Sequence, residues 1–203
     1  MTPKHRYQSL SSAQLSYSSA WGFMGFIDLD RYDANLGGKT SQLGRAWTPA
    51  EVLERALQHM NNGLAFFWGS ADADNQININ PANFQQLRAT ALQRFQGAIE
   101  ISQGRLCLTG FSGLAAIAQL IDKDELPFWE DYVWNVSPGW YSIEVLQFSR
   151  YDGSAQCIGD VDPEFEDGAT HHAIQIEQIE SGRCTRYLEL SNQPAFFYPK
   201  KRK

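Results

Sequence analysis

The sequence predicts a mainly β, α+β protein, an antiparallel β-sandwich decorated by one or two helices. Three observations lead there. Apolar or alternating runs recur about every 8–12 residues with turn residues between them, which is sandwich spacing rather than the longer period of βαβ units. Aromatic residues make up 13% of the chain, and they suit strands better than helices. The helical patterns fall in the first half, so helices add to the sheets without alternating with them.

The firmest element is Trp134–Phe148. Two extended runs, Asp131–Val136 and Trp140–Phe148, flank Ser137-Pro138-Gly139. Proline presets φ and glycine accepts φ > 0, so the tripeptide turns the chain. In the second run Tyr141, Ile143 and Val145 share one apolar face. Trp140, Ser142, Glu144, Leu146 and Phe148 share the other, which starts mixed and ends apolar. That strand is half-buried at one end and covered on both faces at the other.

Residues 1–12 read as a polar, mobile terminus. Ala20–Asp30 is a strand interrupted by Gly22 and Gly25, which mark a bulge or a close neighbouring backbone. A Gly- and Asn-punctuated loop follows from Asp33 to Gly44. Thr48, Pro49 and Glu51 then form a capping box with Pro at the first helical position. Val52, Leu53, Ala56, Leu57 and Met60 make an apolar stripe, and Asn61-Asn62-Gly63 ends the helix.

Leu64–Trp68 and Gln76–Asn80 read as a hairpin around a polar loop. Pro81–Phe95 reads as a helix carrying Phe84, Leu87, Ala91 and Phe95, with a strand from about Thr90 as the rival. Ala98–Ser102 and Arg105–Thr109 read as a second hairpin across Gln103-Gly104. Leu114–Ile121 is a short helix or a buried strand. Thr170–Glu180 is a strand whose Ile174, Ile176 and Ile179 slip in phase, as at a bulge, and Cys184–Leu190 is a further strand. Residues 13–199 form one β-rich domain, with two similar halves split near residue 97 as the alternative, and 200–203 are a basic tail.

The chain of 203 residues is long enough to bury a core without staples. Its net charge is −6; the last four residues carry +4, so the rest carries −10. An acidic body excludes sequence-independent nucleic-acid binding, which needs clustered Lys and Arg, and it suits a partner with a basic surface. Three scattered cysteines without a CxxC pattern read as reduced thiols. With neither a signal-peptide core nor a membrane-spanning run, the expected location is cytoplasmic.

No catalytic constellation emerges. Gly110-Phe-Ser-Gly113 has its second glycine one position early for a nucleophile elbow, and Gly37-Gly-Lys-Thr40 lacks the first glycine of a phosphate loop. His171 and His172 are adjacent, so on a strand they point to opposite faces and cannot share a metal; either could instead pair with a nearby carboxylate. The densest charge is Asp160, Asp162, Glu164, Glu166 and Asp167. Alternating carboxylates can ligate a hard cation such as Ca²⁺, but Pro163 and the absence of a central Gly spoil the EF-hand pattern; the loop is a solvated one, a contact for basic residues of a partner, or a weaker candidate for such a cation. Phe128-Trp129-Glu130-Asp131 sets aromatic residues beside acid just before the central strand, and Trp is a hot-spot residue. The partner-binding candidates are therefore Asp160, Asp162, Glu164, Glu166, Asp167, Trp129, Glu130 and Asp131, with no catalytic residue, metal or cofactor.

Leu15-Ser-Tyr-Ser18, Trp47-Thr48 and Pro138-Gly-Trp-Tyr141 resemble segments of bacterial immunity proteins of polymorphic or type VI effectors, and distantly of the competence-type inhibitor of a DNA-entry nuclease. The resemblance is confined to short islands, and none of them is a catalytic signature. The resemblance implies an inhibitor that binds and occludes a cognate toxin. The competing readings are a small-molecule or carbohydrate-binding sandwich with Trp platforms, and a hydrolytic enzyme using His171 or His172 with the acidic loop.

Overall fold

The computed structural model describes residues 8–18, 23–31, 58–70, 74–110, 132–148 and 170–180. Their strands are β1 Gln8–Ser9, β2 Ala13–Ser18, β3 Phe23–Asp28, β4 Ala65–Gly69, β5 Asp74–Ile79, β6 Gln93–Ile101, β7 Arg105–Gly110, β8 Val133–Asn135, β9 Gly139–Gln147 and β10 His172–Ile179. A short helix, α1, spans Phe84–Leu87. Sheet I has the order β1-β8-β7-β3-β4 and sheet II the order β2-β5-β10-β9-β6. The mainly β, two-sheet class expected from the sequence is the one observed. Pairing is antiparallel except at β1–β8 and β5–β10, which are parallel.

The Ser137-Pro-Gly turn does more than reverse the chain. β8 lies in sheet I and β9 in sheet II, so the turn carries the chain across the sandwich. The Tyr141 hydroxyl donates to the Ser137 carbonyl at 2.7 Å and fastens that corner. Two expected hairpins are corrected in the same way. β4 and β5 are in different sheets, and so are β6 and β7. Each loop does turn the chain, but onto the facing layer. The phase slip at Ile179 is not a bulge: β10 and β9 pair without a break from His172↔Gln147 to Ile179↔Trp140, which puts Ile179 on the outer face.

The inner face of sheet II is built as the alternation requires. Tyr141, Ile143 and Val145 of β9 are buried, opposite Ile174 and Ile176 of β10, with Ile77 and Ile79 of β5 and Ile99 and Ile101 of β6. They meet Phe26, Phe66, Trp68, Leu108 and Trp134 of sheet I in one core. There Phe26 packs against Trp68 and Trp134 with ring centroids 5.9 and 6.0 Å apart, a spacing that suits tilted aromatic contacts. Gly25 explains the interrupted strand. A Cβ there would lie 2.7 Å from Phe67 Cα and drive into the Phe66 carbonyl, so the glycine admits a close neighbouring backbone.

Pro81–Phe95 divides between the two readings. One helical turn forms, and its Phe84 joins Leu146 and Ala173 in a second small core, with Leu87, Ala91 and Phe148 packed against it. This is why the outer face of β9 becomes apolar at its end. Phe95 belongs instead to β6, opposite Val145, where the period is two. Asn80 does not cap α1; its side-chain oxygen accepts from the Ile176 N–H at 2.7 Å. Of the earlier helix only its end is described. Gly63 N–H donates to Met60 and Leu64 N–H to His59, at 3.0 and 2.9 Å, the paired bonds of a Schellman ending at the predicted Asn-Asn-Gly stop. The capping box, Leu114–Ile121 and Cys184–Leu190 lie outside the described residues.

Candidate functional site

One end of the sandwich gathers the roots of the two long connections that carry the sequence candidates. β9 ends at Gln147 and β10 begins opposite it at His172, so the segment 149–169 leaves and returns at that point. The Phe148 N–H donates to the His171 carbonyl at 3.0 Å and holds the two roots together. His171 in turn is fixed to β5. Its N–H donates to the Gln76 carbonyl at 2.8 Å, and its Nδ1 accepts from the Gln76 N–H at 3.2 Å.

The segment 111–131 has its roots at the same end. It leaves β7 after Gly110 and returns at Tyr132. Tyr132 sets its ring edge-on against Tyr17 at 5.1 Å and donates to the Ser16 carbonyl at 2.9 Å. The Tyr17 hydroxyl bonds Thr109 and Gly110, and burial pushes its pKa up, so it stays neutral and serves as a structural tie. β2 pairs with β5 through Tyr17↔Asn75 and Ser16↔Gln76. Gly110, Tyr132, Phe148 and His171 are therefore linked, strand to strand, along one rim.

The predicted contact residues Trp129, Glu130, Asp131, Asp160, Asp162, Glu164, Glu166 and Asp167 lie outside the described residues. What the structure supplies is the placement of their anchors. Asp131 immediately precedes Tyr132, and Asp167 falls three residues before Thr170. Thr170 itself is held at β5, where its Oγ1 meets Asn78 Nδ2 at 2.6 Å.

Beneath this rim lies a polar pair, of which His172 stands out in the sequence and Gln147 does not. His172 and Gln147 face each other across β10 and β9, and both are wholly buried. Among the described residues, neither ring nitrogen of His172 and neither amide atom of Gln147 has a hydrogen-bond partner. The Trp68 ring from sheet I packs 6.2 Å from the His172 ring, and its Nε1 is likewise buried without a partner. Burial, with the neighbouring His171 as a lesser cause, pushes the His172 pKa down to about 3. Burial alone lowers that of His171. Both imidazoles are thus neutral at pH 7. The signal for this pair was phase: Gln147 continues the series Tyr141, Ile143, Val145, and His172 precedes Ile174 and Ile176. Each is a polar residue at a core position.

A second polar cluster lies on the outer face of sheet II. Glu144 accepts from Arg94 Nη2 at 2.8 Å on one oxygen and from Arg88 on the other. The Arg88 guanidinium also covers the Phe84 ring, 5.7 Å from its centroid. Close by, Leu92 is the one large apolar side chain among the described residues that is exposed, and its N–H donates to the Gln147 carbonyl at 2.9 Å.

No protein family and no curated protein matches the chain. Among solved structures it is similar to one described as "Crocagin biosynthetic gene J", with TM-score 0.50 and 12% identity over 84% of this chain and 98% of that one. The two share a fold. It is also similar, with TM-score 0.39 and 10% identity over 85% of this chain and 98% of the other, to ComJ from Bacillus subtilis, described as an inhibitor of the DNA-degrading activity of NucA.

The site's chemistry follows from its residues. Among the described residues, no three His, Cys, Asp or Glu side chains are grouped to hold a metal ion. His172 points into the core, away from solvent and from any described carboxylate. Trp68 and Trp134 are core residues, which removes them as ligand platforms, and Trp140 alone of the described tryptophans is partly exposed. No described helix is long and apolar enough to cross a membrane.

Proposed function

We propose that this chain is an inhibitor of the immunity or antitoxin type, which binds a cognate toxin or effector enzyme and occludes it without chemistry of its own. The observation that carries the reading is the common rim. The two segments with the densest aromatic and acidic character are rooted at one end of a rigid sandwich, where they can act on one partner surface. The charge of the segment rooted there, with five carboxylates from Asp160 to Asp167, suits a basic partner and fast electrostatic association. The sequence resemblance to immunity proteins points the same way. Inhibition is the role recorded for ComJ; for this chain the support is the rim, the charge and the sequence islands.

The test is co-expression with the toxin encoded beside the chain's own reading frame. Wild-type protein is expected to co-purify with the toxin and protect the cell. The triple reversal Glu164→Lys, Glu166→Lys, Asp167→Lys should weaken the complex about a hundredfold, as loss of several charge pairs does. Glu177→Lys, exposed on the outer face of β10 away from the rim, should leave it unchanged. Full protection by the triple variant would rule out the acidic contact.

A further inference from the structure

We infer that the buried His172–Gln147–Trp68 cluster makes the partner-binding rim acid-sensitive, so that mild acidification parts β9 from β10 at their shared end and releases the partner. The inference rests on the inhibitor reading for its last step only; the opening itself is a property of the isolated chain.

The geometry leaves an imidazolium no place to go. His172 is wholly buried, and among the described residues its neighbours are uncharged: Gln147 on β9, Ile77 on β5 and Trp68 on β4. The titratable group that acts on it is His171, which is basic and would add repulsion. The described carboxylates on the adjoining strands face elsewhere. Glu144 lies on the outer face of β9, occupied by Arg88 and by Arg94 of β6. Asp74 is exposed at the start of β5, on the face opposite to Ile77. A proton on His172 therefore creates a buried charge with no counter-charge among the described residues, and burial of such a charge is relieved by admitting water. The cheapest opening is the local one. The His172↔Gln147 pair is the last rung of the β9–β10 ladder, with only the Phe148–His171 bond beyond it. Opening there separates the two roots of the segment that carries Asp160–Asp167.

A core histidine exposed only by global unfolding would leave these amides no more labile than the rest of β9 and β10, so the test reads local opening directly. Amide-exchange protection factors are measured at Gln147, Phe148, His171 and His172 in the isolated protein, at about pH 7.5 and about pH 5, the range in which histidine switches operate. Protection is expected to fall at least tenfold at these amides and to hold at Ile143 and Ile176. His172→Gln should abolish the fall, whereas His171→Asn should retain most of it. If His172→Gln does not fold, the ring-nitrogen signals of His172 in the wild-type protein decide: proton uptake must coincide with the opening. Unchanged protection in the wild type, the same fall in His172→Gln, or opening without proton uptake overturns the proposal. Partner affinity is then measured at both pH values with wild type and His172→Gln. Acid-weakened binding that the substitution abolishes supports the linkage. Opening with equal affinity at both pH values overturns the linkage and leaves the inhibitor reading intact. Absence of a complex at neutral pH overturns the inhibitor reading itself.

Discussion

The Val136 N–H donates to the Gly104 carbonyl at 2.9 Å, and a Cβ on Gly104 would lie 2.7 Å from the Val136 carbonyl oxygen. These two residues tie together the corners by which the chain crosses between sheets, after β6 and after β8. Gly104 also has φ +102°, a conformation L side chains rarely adopt. Gly104→Ala meets both penalties and should lower stability by about 3 kcal/mol, as backbone strain combined with overpacking does. Urea unfolding would show the midpoint falling with little change in slope.

At the other side of the same corner, Tyr141→Phe removes the hydroxyl that closes Ser137-Pro-Gly. Burial raises the Tyr141 pKa, so the hydroxyl is a neutral donor across the ordinary range. Loss of one neutral hydrogen bond should cost about 1 kcal/mol. The ring remains in the core, so thermal unfolding should stay cooperative.

Stability should fall on acidification in a defined window. Burial holds the folded pKa of His172 down at about 3, against an ordinary 6.5, so between these values the unfolded chain binds a proton that the folded chain refuses. The contribution is fully present above about pH 6.5 and is lost towards pH 3, at about 1.4 kcal/mol for each pH unit. His171, whose pKa is lowered by burial, adds in the same direction. Denaturant melts at successive pH values should show this slope, and His172→Gln should flatten it.

The Arg88–Glu144–Arg94 cluster should prove weaker than its geometry suggests. The two arginine side chains are 36% and 48% exposed, so water and salt screen them. Glu144→Gln should cost about 1 kcal/mol at low salt and less at high salt. A loss of several kcal/mol, insensitive to salt, would show instead that burial of the Glu144 carboxylate, 10% exposed, outweighs the screening of its two arginines.

Strand faces were legible from the residues because period two is a local property. Tyr141, Ile143 and Val145 share one apolar face of a period-two run, and the structure buries all three. Turn positions were legible for the same reason: Ser137-Pro-Gly and Gln103-Gly104 both turn the chain. Sheet membership was not. A turn dictates that the chain changes direction, whereas the layer it enters depends on packing between distant residues, such as Trp68 against His172. Hence the two expected hairpins became crossings. The helical spacing of Phe84, Leu87, Ala91 and Phe95 misled because Phe95 satisfies both periods, and tertiary pairing with Val145 decided between them. At the candidate site, the acidic and aromatic segments were visible as composition, but their shared rim arises from strand order. The His172–Gln147 pair was visible only as two polar residues in an apolar phase.

The position of β10 has a consequence for biosynthesis. It lies between β5 and β9 at the centre of sheet II, although it is the last described strand in the chain. Until it emerges from the ribosome, β2–β5 and β9–β6 are two separate ribbons, each with an unpaired edge. Closure of sheet II therefore waits on a contact between residues almost a hundred positions apart, such as Ile77 with His172, and long-range pairing of this kind is slow. The nascent protein depends on late closure, and a chain terminated before His172 should aggregate through those edges rather than persist as a smaller folded unit.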